Sequence, residues 1–318
     1  MGRRWKDYAF ITLKGIAMGA ADVVPGVSGG TIAFIVGIYE ELLDSIKSIN
    51  LSNLKLLLQG KIGAFWKSVN GSFLLSLIIG IGISVLSLAR IITYLLVHQP
   101  VLIWSFFFGL VLASTWFVSK DIRQWDWKRV LGFLLGGAFA YYVTVATPAE
   151  TPDHLLFIFL CGVIAICAMI LPGISGSFIL LLLGKYQYIM EAVKTMDKHS
   201  LLVLGVFACG AAIGITSFSR VLSYALKHYH DTTIAVLAGF MLGSLNKVWP
   251  WKETVAGLES NIAPDSHLVE AVLLMLVGFF SVYFLEKLSI SKEKKEVARP
   301  KDYDEIRREK IEKFNNRK

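Results

Sequence analysis

Long apolar segments recur along the whole chain, and they constrain its fold more than any other feature. A helix needs about 20 apolar residues to cross about 30 Å of hydrocarbon. Unbroken segments of this kind occupy residues 72–97, 101–118, 130–146, 201–226, 233–249 and 267–286, and two longer apolar stretches, 8–46 and 155–190, are interrupted in the middle. Because helices satisfy their own backbone in lipid, the sequence predicts an all-α polytopic membrane protein.

Composition argues against a soluble domain and against a nucleic-acid partner. Charged residues make up 18% of the chain, whereas they make up about 25% of a typical soluble domain. The formal net charge is +8, but the basic residues lie between apolar segments and in the carboxy-terminal tail, which is typical of membrane topology. The cysteines, Cys161, Cys167 and Cys209, lie in apolar segments without CxxC spacing, so we expect no metal site and no cofactor.

The second half of the chain repeats the first. Residues 24–31 align with 171–178 at an offset of 147, and both contain Pro-Gly-x-Ser-Gly. A second block, at an offset of 130, pairs Arg90, Tyr94, His98, Gly109 and Ser114 with Arg220, Tyr224, His228, Gly239 and Ser244. Such ordered matches indicate a duplication. We therefore expect a first membrane repeat at 8–146, a second at 155–288 and a basic tail at 289–318.

Each repeat is predicted to cross the membrane an odd number of times, whether its broken segment re-enters or spans fully. The second repeat should therefore have the opposite orientation, as in many transporters. Lysines and arginines place both termini and the loops 47–71 and 119–129 in the cytoplasm. The loops 147–154 and 250–266 should lie outside. Three lysines that also fall outside disagree with this rule, namely Lys185, Lys194 and Lys198.

Proline and glycine interrupt the two broken segments at matched positions. Pro25-Gly26 and Pro172-Gly173 cannot continue a helix, and unwound backbone at membrane depth must line a cavity or be buried in protein. Ser28 or Ser175 can cap the helix that follows, whose free N–H groups favour anions. The candidate anion-binding residues are Ser28, Gly29, Gly30, Thr31, Ser175, Gly176 and Ser177. The alternative is a kink that packs small residues against a neighbouring helix.

A bulky side chain distinguishes the two interpretations of the break. Leucine at Gly29 or Gly176 is expected to leave the helix and its dipole intact while it keeps an anion away from the backbone. Ser28→Ala should remove only one hydrogen bond.

Three charged residues within the apolar segments are further candidates for function. Arg90 and Arg220 occupy matched positions in unbroken spans, so each is a candidate ligand for an anion such as phosphate. The alternative is that each guanidinium snorkels to the membrane interface. Asp22 precedes the first break and has Met169 as its counterpart. Asp22 is a candidate for ion coupling and equally for capping a helix or pairing with an arginine.

The duplicated motif, DVVPGVSGGT from Asp22 and LPGISGS from Leu171, resembles that of the PopT family of bacterial polyprenyl-phosphate transporters. The resemblance covers residues 8–288. It implies a flippase of the bacterial plasma membrane that returns undecaprenyl phosphate from the outer to the inner leaflet for envelope and cell-wall biogenesis. The helix termini and the arginines would then replace the hydration that the phosphate loses. The alternatives are a small-anion channel or carrier, and a membrane enzyme that acts on lipid phosphates.

Overall fold

The computed structural model describes residues 3–24, 27–147, 151–255 and 258–297. Within these ranges, four helices are long and apolar enough to cross a membrane: Gly71–Leu88, Pro100–Lys120, Lys198–His228 and Leu268–Leu285. The prediction of a helical, polytopic membrane protein is therefore confirmed.

The first half consists of helices. They are α1 (Trp5–Asp22), α2 (Gly29–Ile35), α3 (Tyr39–Lys47), α4 (Leu51–Leu58), α5 (Ile62–Ser68), α6 (Gly71–His98), α7 (Pro100–Lys120) and α8 (Trp127–Val145). The predicted linker at 50–70 thus contains the short helices α4 and α5. Leu51 and Leu58, at the two ends of α4, are exposed.

The second half follows the same order of helices, with an added pair of strands. Its elements are α9 (Leu155–Ile170), α10 (Gly176–Leu182), α11 (Tyr186–Thr195), α12 (Lys198–His228), α13 (His230–Ser244), β1 (Lys252–Val255), β2 (Leu258–Asn261) and α14 (Leu268–Val297). The strands pair antiparallel, with Lys252 opposite Asn261. Apolar periodicity does not predict this short sheet. Helix α14 also continues past the predicted start of the tail at residue 289, and residues 298–318 lie outside the described part of the chain.

Each broken segment folds into a helical hairpin that returns to the end where it began. In the first hairpin (α1–α3), Lys14 Nζ donates to the Val36 carbonyl at 2.5 Å. Arg3 also pairs with Glu41 through two hydrogen bonds of 2.6 and 2.7 Å. In the second hairpin (α9–α11), Lys185 pairs with Asp153. Lys185 is 4% exposed, so the charge of this lysine is paired within the hairpin.

Glycines let each hairpin approach a long helix of its own half. Helix α1 packs parallel to α6, and α9 packs parallel to α12. The closest approaches lie at Gly15 and Gly80 in the first half and at Gly162 and Gly210 in the second. These glycines are matched by the offsets of 147 and 130. A Cβ at any of them would meet a backbone oxygen of the facing helix, so a larger residue would force the helices apart.

The two halves join through α7 packed on α14 and α8 packed on α13. Glycine again faces backbone at each crossing, and the facing pairs are Gly109–Met275, Gly278–Phe106, Gly239–Phe133 and Gly136–Val236. The α7–α14 crossing thus uses positions that match those of the α13–α8 crossing.

Helix α13 is shorter than the span predicted at 233–249. Its 15 residues rise about 22 Å, less than the hydrocarbon thickness. Ile234, Leu237 and Met241 are fully buried, so neighbouring helices cover much of α13. Spans through α8 and α13 stay predictions.

Candidate functional site

The first hairpin tip joins α1 to α2, and Asp22 closes it. Pro25 and Gly26 lie outside the described residues. Ser28 caps α2, because its Oγ accepts the Gly30 N–H at 3.0 Å. The Asp22 Oδ1 accepts the Gly29 N–H at 2.7 Å. A carboxylate of the protein therefore occupies the position at the start of α2 where we predicted an external anion.

The second hairpin tip has a different local structure. Pro172 ends the regular helix, and Gly173 takes φ +92°, a left-handed conformation that favours glycine. The prediction that Ser175 can cap α10 is wrong, because its Oγ makes no cap hydrogen bond and instead lies 2.7 Å from the Ser177 Oγ. Met169 replaces the acid of the first tip, so α10 has no carboxylate equivalent to Asp22.

The two tips contact each other, although they are more than 130 residues apart in the chain. The Ser28 Oγ donates to the Met169 carbonyl at 2.9 Å, and the Tyr39 hydroxyl donates to the Ile170 carbonyl at 3.1 Å. In return, the Gly173 N–H donates to the Thr31 Oγ1 at 2.9 Å. We call these three hydrogen bonds the tip joint.

The tip joint has a simple physical cause. A helix ends with carbonyls that lack intrahelical partners, and the turn after α9 leaves the carbonyls of Met169 and Ile170 in that state. Hydroxyls of the first hairpin satisfy both of them. Tyr39 matches Tyr186 at the offset of 147, but the sequence did not predict its role in the joint.

The tips are closed in this conformation. Ser28, Thr31 and Tyr39 are 1%, 0% and 3% exposed, so an anion can reach the N–H groups beside them only after the tips separate.

Close packing also changes what a bulky residue at the tips would do. A Cβ at Gly29 would lie 2.6 Å from the Asp22 carboxylate, and one at Gly176 would lie 2.7 Å from the Ala165 oxygen. At Gly30 the neighbour would be the Ile170 oxygen. At Gly176 the neighbour is backbone, so the expectation that leucine there leaves the fold intact is wrong. At Gly29 the neighbour is the Asp22 side chain, so a larger residue there would first displace that carboxylate.

The structure places both arginines level with the tips but on the outer surface of their helices. Gly19 faces Ile81 and Ser84, so the end of α1 lies within about one turn of Arg90 along α6. In the second half, the Cys167 Sγ contacts the Gly214 oxygen at 3.9 Å, which puts the end of α9 at a similar distance from Arg220. Both arginines are exposed, and neither pairs with a described residue.

The structure thus brings Ser28 and Thr31 of the first motif to Met169 and Gly173 of the second hairpin. Among the described contacts, Ser175, Gly176 and Ser177 stay within their own hairpin, and the arginines do not reach the tips. The described residues contain no group of three or more histidine, cysteine, aspartate or glutamate side chains that could hold a metal ion.

Comparisons with known proteins bear on this arrangement. The family model described as VCA0040-like, undecaprenyl phosphate translocase-like, matches residues 18–265. A Polyprenyl-phosphate transporter of Vibrio cholerae is 46% identical, and the match covers 90% of this chain and 99% of the relative. A Polyprenyl-phosphate transporter of Staphylococcus aureus is 30% identical, with 88% and 97% covered. No solved structure matches the chain. By the extent of these matches, the chain belongs to the undecaprenyl phosphate translocase-like family.

Proposed function

We propose that this protein is a transporter that moves the headgroup of a polyprenyl phosphate, with undecaprenyl phosphate as the expected substrate, across the bacterial plasma membrane. The observation that carries the proposal is the tip joint, where the broken hairpins of the two halves meet through Ser28 with Met169 and Thr31 with Gly173. The names of the relatives support the choice of substrate. A flippase that recycles a lipid carrier for cell-wall biogenesis needs a polar site of this kind within the bilayer.

The packing directions support an inverted repeat. Consecutive spans alternate in direction, so α6 and α8 should be parallel. Helix α8 packs parallel to α13, since Gly132 faces Thr232 and Gly243 faces Gly137. Helix α12 precedes α13 across a tight connection, so the two helices should be antiparallel. Helix α12 then points opposite to its counterpart α6, and the re-entrant hairpins enter from opposite faces.

The proposed domains follow from this arrangement. The membrane repeats are 8–146 and 155–288, and the tail at 289–318 is cytoplasmic together with the amino terminus. Lipids of the bilayer are the other partners.

The phosphate is proposed to bind when the tips separate. The released N–H and hydroxyl groups of Ser28, Gly29, Gly30, Thr31, Ser175, Gly176 and Ser177 would then surround it. Arg90 and Arg220 lie at the depth of the tips on the lipid-facing side of their helices, where they would bind the phosphate. Hydrogen bonds from charged donors are the stronger kind, and they offset the lost hydration.

Asp22 is proposed to act as an internal substitute for the substrate. Its carboxylate satisfies the Gly29 N–H while the tips are closed, which avoids an unsatisfied buried donor. The same carboxylate would repel a phosphate until it moves, so Asp22 also stays a candidate for proton or ion coupling.

The position of the arginines favours a lipid phosphate over a small anion. Both lie on outer helix surfaces, where the headgroup of a lipid can arrive from the side. A channel for small anions would instead need its basic side chains around an internal pore. An enzyme acting on lipid phosphates would need an activated nucleophile or a metal beside the tips. The hydroxyls of Ser28 and Tyr39 instead donate to backbone carbonyls.

Thermal unfolding of the purified protein tests the substrate class. Polyprenyl phosphate at 100 times its Kd should stabilise the protein by about 2.7 kcal/mol, whereas polyprenol and inorganic phosphate should not. Arg90→Ala and Arg220→Ala should lose most of this effect. Arginine-to-lysine variants should keep part of it, because lysine retains the charge without the planar fork.

The exposed loop residue Arg123 provides a matched control, and Arg123→Ala should respond like the wild type. Equal stabilisation by inorganic phosphate would favour the small-anion alternative. Full stabilisation of both alanine variants by polyprenyl phosphate would show that the arginines only snorkel.

A further inference from the structure

A line of three polar side chains begins at each arginine and runs towards the end of its helix. Arg90, Tyr94 and His98 form this line on α6, and we call it the α6 ladder. The α12 ladder consists of Arg220, Tyr224 and His228. Steps of four residues turn only about 40° around a helix and rise about 6 Å. The members of each ladder therefore share one face.

The two ladders have the same local geometry. The Tyr94 and His98 rings stack with centroids 4.0 Å apart at 21°, and the Tyr224 and His228 rings stack with centroids 4.0 Å apart at 24°. The histidine Nδ1 lies 2.9 Å from the Tyr94 carbonyl in the α6 ladder and 3.0 Å from the Tyr224 carbonyl in the α12 ladder. Two copies of one arrangement, built by different parts of the chain, indicate a shared role.

Both ladders face outward along their whole length. Tyr94 is 59% exposed and Tyr224 is 55% exposed, and the arginines and histidines are exposed as well. This is unusual for a helix surface at membrane depth, where charged and polar side chains are costly. Packing within the protein does not explain the ladders, because more than half of the surface of Tyr94 and Tyr224 is exposed.

Each ladder connects a helix end with the level of the hairpin tips. His98 and His228 are the last residues of α6 and α12. Each arginine lies eight residues earlier, about 12 Å deeper along the helix axis, within about one turn of the level where its own hairpin arm ends.

We propose that each ladder is a track for the phosphate headgroup of a lipid, leading from the membrane interface to the depth of the tip joint. The tail of the lipid would stay in the bilayer beside the helix while its phosphate passes from histidine to tyrosine to arginine. This inference rests on the proposed function and adds the residues by which the substrate enters.

The chemistry of the side chains suits a phosphate monoester. A carbonyl only accepts hydrogen bonds, so the histidine Nδ1 must carry the proton that it shares with the tyrosine carbonyl. The Nε2 is left for a ligand, and it donates to phosphate when the imidazole is charged or accepts from a P–OH group when it is neutral. The tyrosine hydroxyl can donate at the next step, and the guanidinium binds two phosphate oxygens at the deepest one.

The ladders should serve different leaflets. If the repeats are inverted, His98 and His228 lie at opposite faces of the membrane. The α6 ladder then receives headgroups from one leaflet and the α12 ladder from the other, and a headgroup changes from one ladder to the other at the level of the tips.

Leaflet exchange in liposomes with uniformly oriented protein tests this inference. Labelled polyprenyl phosphate is supplied in one leaflet or the other, and the initial rate is measured against its mole fraction. His98→Ala and Tyr94→Phe should raise the mole fraction for half-maximal rate for one leaflet only, by about tenfold for a hydrogen bond to a charged group. His228→Ala and Tyr224→Phe should do so only for the other leaflet.

Tyr142→Phe is the matched control, since Tyr142 is 68% exposed on α8 and belongs to neither ladder. Unchanged mole fractions for all four ladder variants, with normal wild-type exchange, would overturn the ladders and leave the proposed function standing. Equal effects from both leaflets would overturn the assignment of one ladder to each leaflet. A wild type that exchanges no polyprenyl phosphate would overturn the proposed function, and the ladders with it.

Discussion

At the scale of single residues, the site depends on the hydroxyls of Ser28 and Thr31. They were predicted to bind an anion, and in the closed state they form hydrogen bonds between the two tips. The Pro-Gly-x-Ser-Gly repeats identify Ser28 and Thr31 as special, but no local pattern shows what they contact. Their partners, Met169 and Gly173, lie in the other half of the chain. The sequence therefore predicted that Ser28 and Thr31 lie at a helix break, and only the tertiary arrangement could show which residues of the other half they contact.

Thr31 allows a test of the tip joint. Thr31→Val keeps the shape of the side chain and removes the acceptor of the buried Gly173 N–H, which should cost about 1–3 kcal/mol of stability. Thr31→Ser keeps the hydroxyl and should cost less. Thermal unfolding in detergent measures the difference, and equal melting temperatures for the two variants would show that this hydrogen bond does not hold the tips together.

At the scale of elements, glycine decides which helices can pair. Gly80 and Gly82 lie on the same helix, but a Cβ at Gly80 would meet the Thr12 oxygen, whereas a Cβ at Gly82 would meet nothing within 4 Å. In the second half, Gly210 faces Phe159 in the same way and Gly205 faces open space.

Alanine should have opposite effects on the melting temperature at the two packed glycines and at the two that face open space. Gly80→Ala and Gly210→Ala should lower the melting temperature, since the helix pair must separate. Gly82→Ala and Gly205→Ala should leave it unchanged or raise it, with about 0.5–1 kcal/mol from the better helix former. Loss of stability in all four variants alike would mean that helix propensity, and not the close approach, explains these glycines.

The apolar segments predicted most elements but not all of their lengths. Long runs such as 72–97 form helices because a helix satisfies its backbone hydrogen bonds within the segment, as lipid requires. The shortness of α13 and the strand pair could not be predicted, because burial by neighbouring helices and the conformation of a loop depend on tertiary contacts. The sequence left open whether the broken segments re-enter or span fully. The Arg3–Glu41 and Lys185–Asp153 pairs bring the two ends of each hairpin together, and re-entry into the membrane stays a prediction.

At the scale of the whole molecule, the two halves share a sequence pattern but differ in their contacts. Helix α3 packs on α12 of the other half, where Lys227 pairs with Asp44 at 2.6 Å. Its counterpart α11 packs on α12 of its own half, through Ile189 and Val203. A carrier with inverted repeats can exchange two such arrangements to face alternate sides of the membrane.

Cysteine labelling tests the predicted orientation of the halves. Pro152→Cys and Asp265→Cys should react with an impermeant reagent in intact cells, because both exposed positions lie in the predicted external loops. Gly60→Cys and Arg123→Cys should react only after permeabilisation. Reaction of the last two in intact cells would contradict the inverted topology.

Leaflet exchange of polyprenyl phosphate by the purified protein in liposomes tests the central claim most directly. The wild type should move labelled polyprenyl phosphate between leaflets faster than protein-free liposomes do, and it should not conduct chloride or inorganic phosphate. Small-anion flux without exchange of the lipid phosphate would contradict the account.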